Sequence, residues 1–192
     1  MNIIAEAMGS YYYYKGLGRC LDGATESPVD LLRIALEKYE EALGSNPTST
    51  GLLKNAAFCC TRIVELVRSG GSHLEDTKLD PSAGDIQKAD QYYIRAVASN
   101  PYDAETLYAY AKFLWRCSRK ERAEEYFLQS LESNPRFIWC IRDYGVLLSE
   151  QGEEEMAEKF FLLASDATQA LSKKATSLQR IDCIVNTLSG RE

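Results

Sequence analysis

Between Ala104 and Phe137 the apolar residues are spaced for one face of a helix, and then of a second helix. Leu107, Tyr110, Ala111 and Leu114 make the first stripe. A polar turn at Ser118-Arg119-Lys120 follows, then Ala123, Phe127 and Ser130, until Asn134-Pro135 stops the second helix. Two helices joined by so short a turn are antiparallel neighbours. The same register returns 34 residues on. Ile141, Tyr144, Gly145 and Leu148 precede a turn at Gln151-Gly152, and Ala157, Phe161 and Ala164 follow it. The small residues at 111, 123, 145, 157 and 164 allow helices to approach closely while the adjacent aromatics fill the remaining space. Gly145 costs about 1 kcal/mol of helix propensity, which such packing offsets.

The tripeptide Ser-Asn-Pro closes three helical runs, at Ser45-Asn46-Pro47, Ser99-Asn100-Pro101 and Ser133-Asn134-Pro135. The last two lie one 34-residue period apart and the first two 54 apart, a period plus 20. Ala35, Tyr39 and Ala42 before Pro47, and Ala89, Tyr93 and Ala96 before Pro101, match the second helices described above. Leu53, Ala56, Ala57 and Cys60 fit the first helix of the second repeat; Ile4/Ala5, Met8, Gly9 and Tyr12 fit that of the first. A loop is expected through Gly16, Gly18, Gly23 and Ser27-Pro28, with Ser27 as N-cap and Pro28 at the first helical position. A second loop runs from Arg68 to Gly84, with Gly70-Gly71 and Asp80-Pro81 as breakers. Lengthening a turn this way costs only about 1 kcal/mol of closure entropy. Four repeats therefore cover about 2–49, 50–103, 104–137 and 138–171. Ala175, Leu178, Ile181, Val185 and Leu188 share one face of a segment that reads as a capping helix over about 172–189. A fixed period of this length predicts an all-α array of about four helical hairpins in a single domain.

Composition narrows the function. No apolar run approaches the roughly 18–20 residues that span a bilayer, and the N-terminus lacks a basic signal region, so a cytoplasmic protein without membrane insertion is expected. A net charge of −6 is poorly suited to neutralising phosphates, and no nucleic-acid partner is expected. None of Cys20, Cys59, Cys60, Cys117, Cys140 and Cys183 forms a Cys-x-x-Cys pair, and His73 is the only histidine. A metal site is not expected, and the thiols read as small reduced hydrophobes. No nucleophile–base pair or phosphate loop is present, and Gly16-Leu17-Gly18 is too short for a nucleotide fingerprint. We expect no enzyme and no cofactor.

The motif Leu107-x-x-Tyr110-Ala111-x-x-Leu114 with Ala123-x-x-x-Phe127 and Pro135 resembles the tetratricopeptide repeat (TPR) family. So does its following copy, Ile141-x-x-Tyr144-Gly145-x-x-Leu148 with Ala157-x-x-x-Phe161 and Ala164. The resemblance implies a right-handed α-solenoid that acts as a protein–protein interaction module, an adaptor or scaffold, with the first helix of each hairpin lining a concave groove. Projected onto those helices, the groove residues are Lys54, Phe58 and Arg62, then Tyr108, Lys112 and Trp115, then Trp139 and Arg142. Glu6, Ser10 and Tyr13 occupy the matching places of the first repeat. This set mixes bases with aromatics in an acidic chain, and Arg, Tyr and Trp dominate interface energetics. The expected ligand is a peptide or helix with acidic and apolar groups. The plainer alternative is that Trp115 and Trp139 pack between hairpins and that Lys54, Lys112 and Arg142 are solvated charges. The clamp with which one TPR subgroup holds a terminal carboxylate is not matched: Glu6, Ser10, Asn55, Glu105 and Ala109 stand at its positions, and only Asn55 agrees. The run Tyr11-Tyr12-Tyr13-Tyr14 cannot be buried on all sides of one helix, so Tyr11, Tyr13 and Tyr14 are candidates for a second contact surface. The alternative function is a self-assembling domain of a larger protein, including a homodimer.

Overall fold

The computed structural model describes residues 2–22, 27–68 and 83–170. All regular structure in these residues is helical: α1 (Asn2–Asp22), α2 (Pro28–Ser45), α3 (Thr50–Arg68), α4 (Ala83–Ser99), α5 (Ala104–Arg116), α6 (Lys120–Ser133) and α7 (Ile138–Gln151), then α8 over 154–170. Most of the expected 68–84 loop, with His73, lies outside the described residues, as do Gly23, Cys183, the expected capping helix over 172–189 and the side chain of Cys20. The chain forms two compact units, Met1–Phe113 and Leu114–Glu192, whose boundary falls inside α5.

In the first unit α1 packs on α2, α2 on α3 and α3 on α4. The α1–α2 crossing is set by Gly9, where a Cβ would sit 2.9 Å from Tyr39 Cε1. Tyr39 is buried there, and its hydroxyl shares a 3.1 Å hydrogen bond with Ser10 Oγ. The aromatic core continues through Tyr93, which stacks on Tyr110 at 5.2 Å and lies 5.4 Å from Phe113. Burying Tyr110 requires a partner for its hydroxyl, and it donates to Asp90 Oδ1 at 2.7 Å.

The second unit repeats the design. Phe127 on α6 meets Tyr144 on α7 at 5.9 Å, and Tyr144 donates to Glu124 Oε1 at 3.0 Å. Gly145 plays the part of Gly9: a Cβ there would lie 2.9 Å from Phe161 Cε1 and 3.2 Å from Phe160 Cβ. The aromatic that fills the space lies on α8.

The three Ser-Asn-Pro segments fold alike. Each Asn N–H closes the last helical turn, Asn46 onto Ala42, Asn100 onto Ala96 and Asn134 onto Ser130, at 2.9–3.2 Å. Each Asn carbonyl then accepts from the residue three on, Ser49, Asp103 or Phe137. The carbonyl of that residue starts the next helix, at Leu53, Leu107 or Ile141. The turns at 114–119 and 148–153 are also a matched pair. Arg119 N–H bonds to Leu114 O and Glu153 N–H to Leu148 O, each at 3.0 Å. Such a helix end needs one left-handed residue. Gly152 supplies it at φ 85° without strain, whereas Ser118 adopts φ 59° with a side chain.

One local expectation is corrected, and a second is met by the backbone alone. Gly16 and Gly18 are not in a loop; α1 runs through both to Asp22. A Cβ at Gly16 would lie 3.3 Å from Leu32 Cγ and 3.4 Å from Pro28 O, so the glycine permits close packing on the start of α2. Ser27 is the N-cap of α2 with Pro28 behind it, but its side chain makes no capping hydrogen bond.

Phe127 is fully buried, so Phe127→Ala should destabilise the protein by about 3–5 kcal/mol. An unmoved thermal transition would show that the repeat register is misplaced.

Alkaline pH should also destabilise it. Burial, reinforced by nearby Cys59, pushes Tyr13 from its ordinary 10.0 up to about 12. Burial likewise raises Tyr39, Tyr93 and Tyr144, the last reinforced by its bond to Glu124. A raised folded-state value favours the protonated form, so this stabilisation is complete below the ordinary 10.0 and is lost as pH rises through the folded values. Urea unfolding followed across that range should show falling stability together with tyrosinate absorbance; stability unchanged through it contradicts the burial of these phenols.

Candidate partner-binding faces

The expected groove residues divide between the two units. In the first unit Lys54, Phe58, Arg62, Tyr108 and Lys112 are all half-buried. Lys54 Nζ reaches from α3 to α5, 3.0 Å from Glu105 Oε2 and 3.8 Å from Asp103 Oδ2. Phe58 lies edge-on to Tyr93 at 6.4 Å. Arg62 Nη1 pairs with Glu65 Oε2 at 2.8 Å, and its charge also acts on Tyr13. Lys112 Nζ donates to Tyr108 Oη at 3.1 Å and sits 5.2 Å from the ring centroid. A helix spacing of i, i+4 makes that pair local.

In the second unit Trp139 is 58% exposed near the start of α7. The Arg142 guanidinium lies 4.9 Å from its ring centroid, within cation–π range. Asp143 is buried, and its Oδ1 accepts from Arg142 Nη2 at 2.7 Å and from Nε at 3.0 Å. The guanidinium is thus held at two nitrogens on an exposed indole. Trp115 differs. Its ring packs edge-on to Phe127 at 6.2 Å, and its Nε1 donates to Glu150 Oε2 at 3.0 Å. That bond, with the ion pair to Lys120, holds the Glu150 carboxyl below its ordinary value. Trp115 is half-buried packing as well as surface, and Trp139 is the more available aromatic.

The carboxylates that engage these cations were missed by the projection. Arg62–Glu65 and Arg142–Asp143 are close in sequence and were readable from it. Lys54–Glu105 is not, because only tertiary packing brings residues 51 positions apart together.

The tyrosine run divides by face: Tyr12 and Tyr13 are half-buried, while Tyr11 and Tyr14 are exposed. Edge contacts join Tyr11 to Tyr12 at 5.2 Å and Tyr13 to Tyr14 at 5.5 Å. Among the described residues, no group of three or more His, Cys, Asp or Glu is placed to hold a metal ion. No helix among them is long and apolar enough to cross a membrane.

Helical hairpins in this register, with small residues against aromatics and matched Asn-Pro turns, define a TPR-like domain, a class that generally serves protein interaction. Residues 81–188 match the family model of the cilia and flagella-associated protein 70 middle TPR-like domain, and the chain belongs to that family. No curated protein sequence matches it significantly. Among solved structures, it is similar to the human IFIT1 dimer with PPP-AAAA (TM-score 0.69, 18% identity), across 100% of this chain and 41% of that one. It is also similar to MamA AMB-1 (TM-score 0.51, 16% identity), across 85% of this chain and 99% of that one. Identities this low support the fold alone.

Burial raises Cys59 beyond the ordinary thiol range, Cys60 to about 12 and Cys140 to about 11. Thiolate is the reactive form. Alkylation of the native protein followed by peptide mass mapping should therefore modify half-buried Cys117 before Cys59, Cys60 or Cys140. Early labelling at Cys59 or Cys60 would contradict the burial of those thiols.

Proposed function

We propose that this chain is a non-catalytic adaptor or scaffold domain that binds a protein segment on the faces of its first helices. The observation that carries the reading is the exposed Trp139 with Arg142 stacked on it and anchored by buried Asp143. A rigid aromatic beside an oriented guanidinium has the composition of an interface hot spot. The ligand fitting it is a peptide or helix that offers an apolar side chain to the indole and a carboxylate to the guanidinium. In the first unit Phe58, Tyr108 and Lys112 offer a second surface of similar chemistry. The PPP-AAAA of the IFIT1 structure is not carried over, because the chain's net charge is −6. The family name associates these domains with cilia and flagella, and we place the partner among proteins of the cytoplasm or the ciliary compartment.

Trp139→Ala is the cleanest test because its side chain is mostly in solvent. Affinity capture from ciliated-cell lysate should enrich a partner with the wild type and lose about tenfold or more of it with the variant, the equivalent of about 1.4 kcal/mol. The helical signal should stay native. Equal capture by Trp139→Ala and by a Phe58→Ala/Lys112→Glu variant would remove the reading.

A further inference from the structure

The outward face of α1 is built like an internal face of the array. Ile4, Met8 and Tyr11 hold the same register as Leu52, Ala56 and Cys59, all buried, on α3, a helix that packs on α2. They match Thr106, Tyr110 and Phe113 on α5, also buried, where Tyr93 of α4 meets both aromatics. On α7 they match Cys140, Tyr144 and Leu147, again buried, where Phe127 of α6 meets Tyr144. On α1 alone these places are open, at 67%, 39% and 60% exposure. Ile3 and Tyr14 extend the patch. At 100° per residue the five side chains span an arc of roughly 140°, which is the width of a core-facing stripe. Their exposed area is on the order of 700 Å², near the 800 Å² or so per partner of a specific interface and above the usual largest patch of a monomer.

The complementary face lies on α8. Three of the four second helices carry a small residue, an acid and an aromatic in fixed register, Ala89-Asp90-x-x-Tyr93, Ala123-Glu124-x-x-Phe127 and Ala157-Glu158-x-x-Phe161, whereas α2 has Leu36 at the acid's place. Tyr93 and Phe127 are fully covered, whereas Phe161 is 39% exposed and Glu158 is exposed. We infer that α1 of one copy of this chain receives α8 of a second copy, at the face the sequence assigns to the 172–189 segment, as α5 receives α4 and α7 receives α6 within each copy. This head-to-tail contact uses two different faces, so each pairing leaves one of each open and assembly can continue. It is separate from the partner faces proposed above and does not depend on them.

The test pairs an α1 variant, Ile4→Glu/Tyr11→Glu, with an α8 variant, Leu162→Glu/Ser165→Glu, so that the two disabled faces carry like charge and cannot rescue one another. All four side chains are exposed, and circular dichroism checks that each variant is folded. In analytical ultracentrifugation the wild type should show a sedimentation coefficient that rises with concentration. Each variant alone should stay monomeric, and an equimolar mixture should form a discrete one-to-one dimer that grows no further. A wild type monomeric at all concentrations would overturn the inference and assign the α1 face to another polypeptide segment. Self-association kept by the α8 variant and lost by the α1 variant would overturn it in favour of symmetric α1–α1 pairing. If both variants still associate, neither face is the interface.

Discussion

The architecture depends on one steric constraint: where two helices of a hairpin cross, one gives up its side chain and the other fills the space with an aromatic ring. Gly9 against Tyr39 and Gly145 against Phe161 show it in the two units, with hypothetical Cβ positions at 2.9 Å from the rings in both cases. Neither partner is replaceable alone. A methyl on the glycine drives the ring out, and truncating the ring leaves a cavity. The propensity cost of a mid-helix glycine is therefore recovered through dispersion and apolar burial at the contact.

Once rings are fixed at the crossings, their polar tips dictate the next layer of contacts. A buried phenol must find an acceptor, and Tyr110 and Tyr144 find Asp90 and Glu124 on the preceding helix. These bonds to carboxylates contribute only about 1.5–3 kcal/mol each. Their effect is to fix register, because a helix slipped by one residue strands both a phenol and a carboxylate. The Asn-Pro turns add the same demand at the ends of the helices, since each Asn backbone closes one helix and accepts from the residue that starts the next. Packing and turn chemistry thus agree on one arrangement, which is what a well-funnelled sequence requires.

Most of this is legible in the sequence, because periodicity reports burial. Leu107, Tyr110, Ala111, Leu114, Ala123 and Phe127 fall in the apolar stripes by spacing alone and are all buried. Glycine punctuation misled at Gly16 and Gly18, where local breaking tendency lost to the close approach of Gly16 to Pro28 and Leu32. The candidate site was only partly readable. Its residue types were evident, but their electrostatic state was not, since Lys54 meets a glutamate contributed by another helix. The openness of α1 was also hidden, because Ile4, Met8 and Tyr11 follow the same apolar pattern as their buried counterparts. Pattern shows that a face is made to be covered; only the structure shows whether it is.

The ion pairs change what the faces of the first helices can recognise. Read as a string, Lys54, Arg62 and Arg142 suggest a positive groove waiting for acid. In the structure each is engaged by a carboxylate of the chain itself, at 3.0, 2.8 and 2.7 Å. Two of these pairs, Lys54–Glu105 and Arg62–Glu65, are part-exposed and worth little by themselves, so an incoming carboxylate can exchange with them at small cost and small gain. Charge therefore sets orientation and selectivity more than affinity. Affinity must come from the apolar surface that ionic exchange leaves untouched. Arg142 illustrates the division: its guanidinium is oriented by Asp143 and Trp139, while the exposed indole supplies the area. A partner matching only the charges would bind weakly, and one matching only the ring would bind without register. The pairing of an oriented cation with an open aromatic is what makes this surface a candidate for specific recognition.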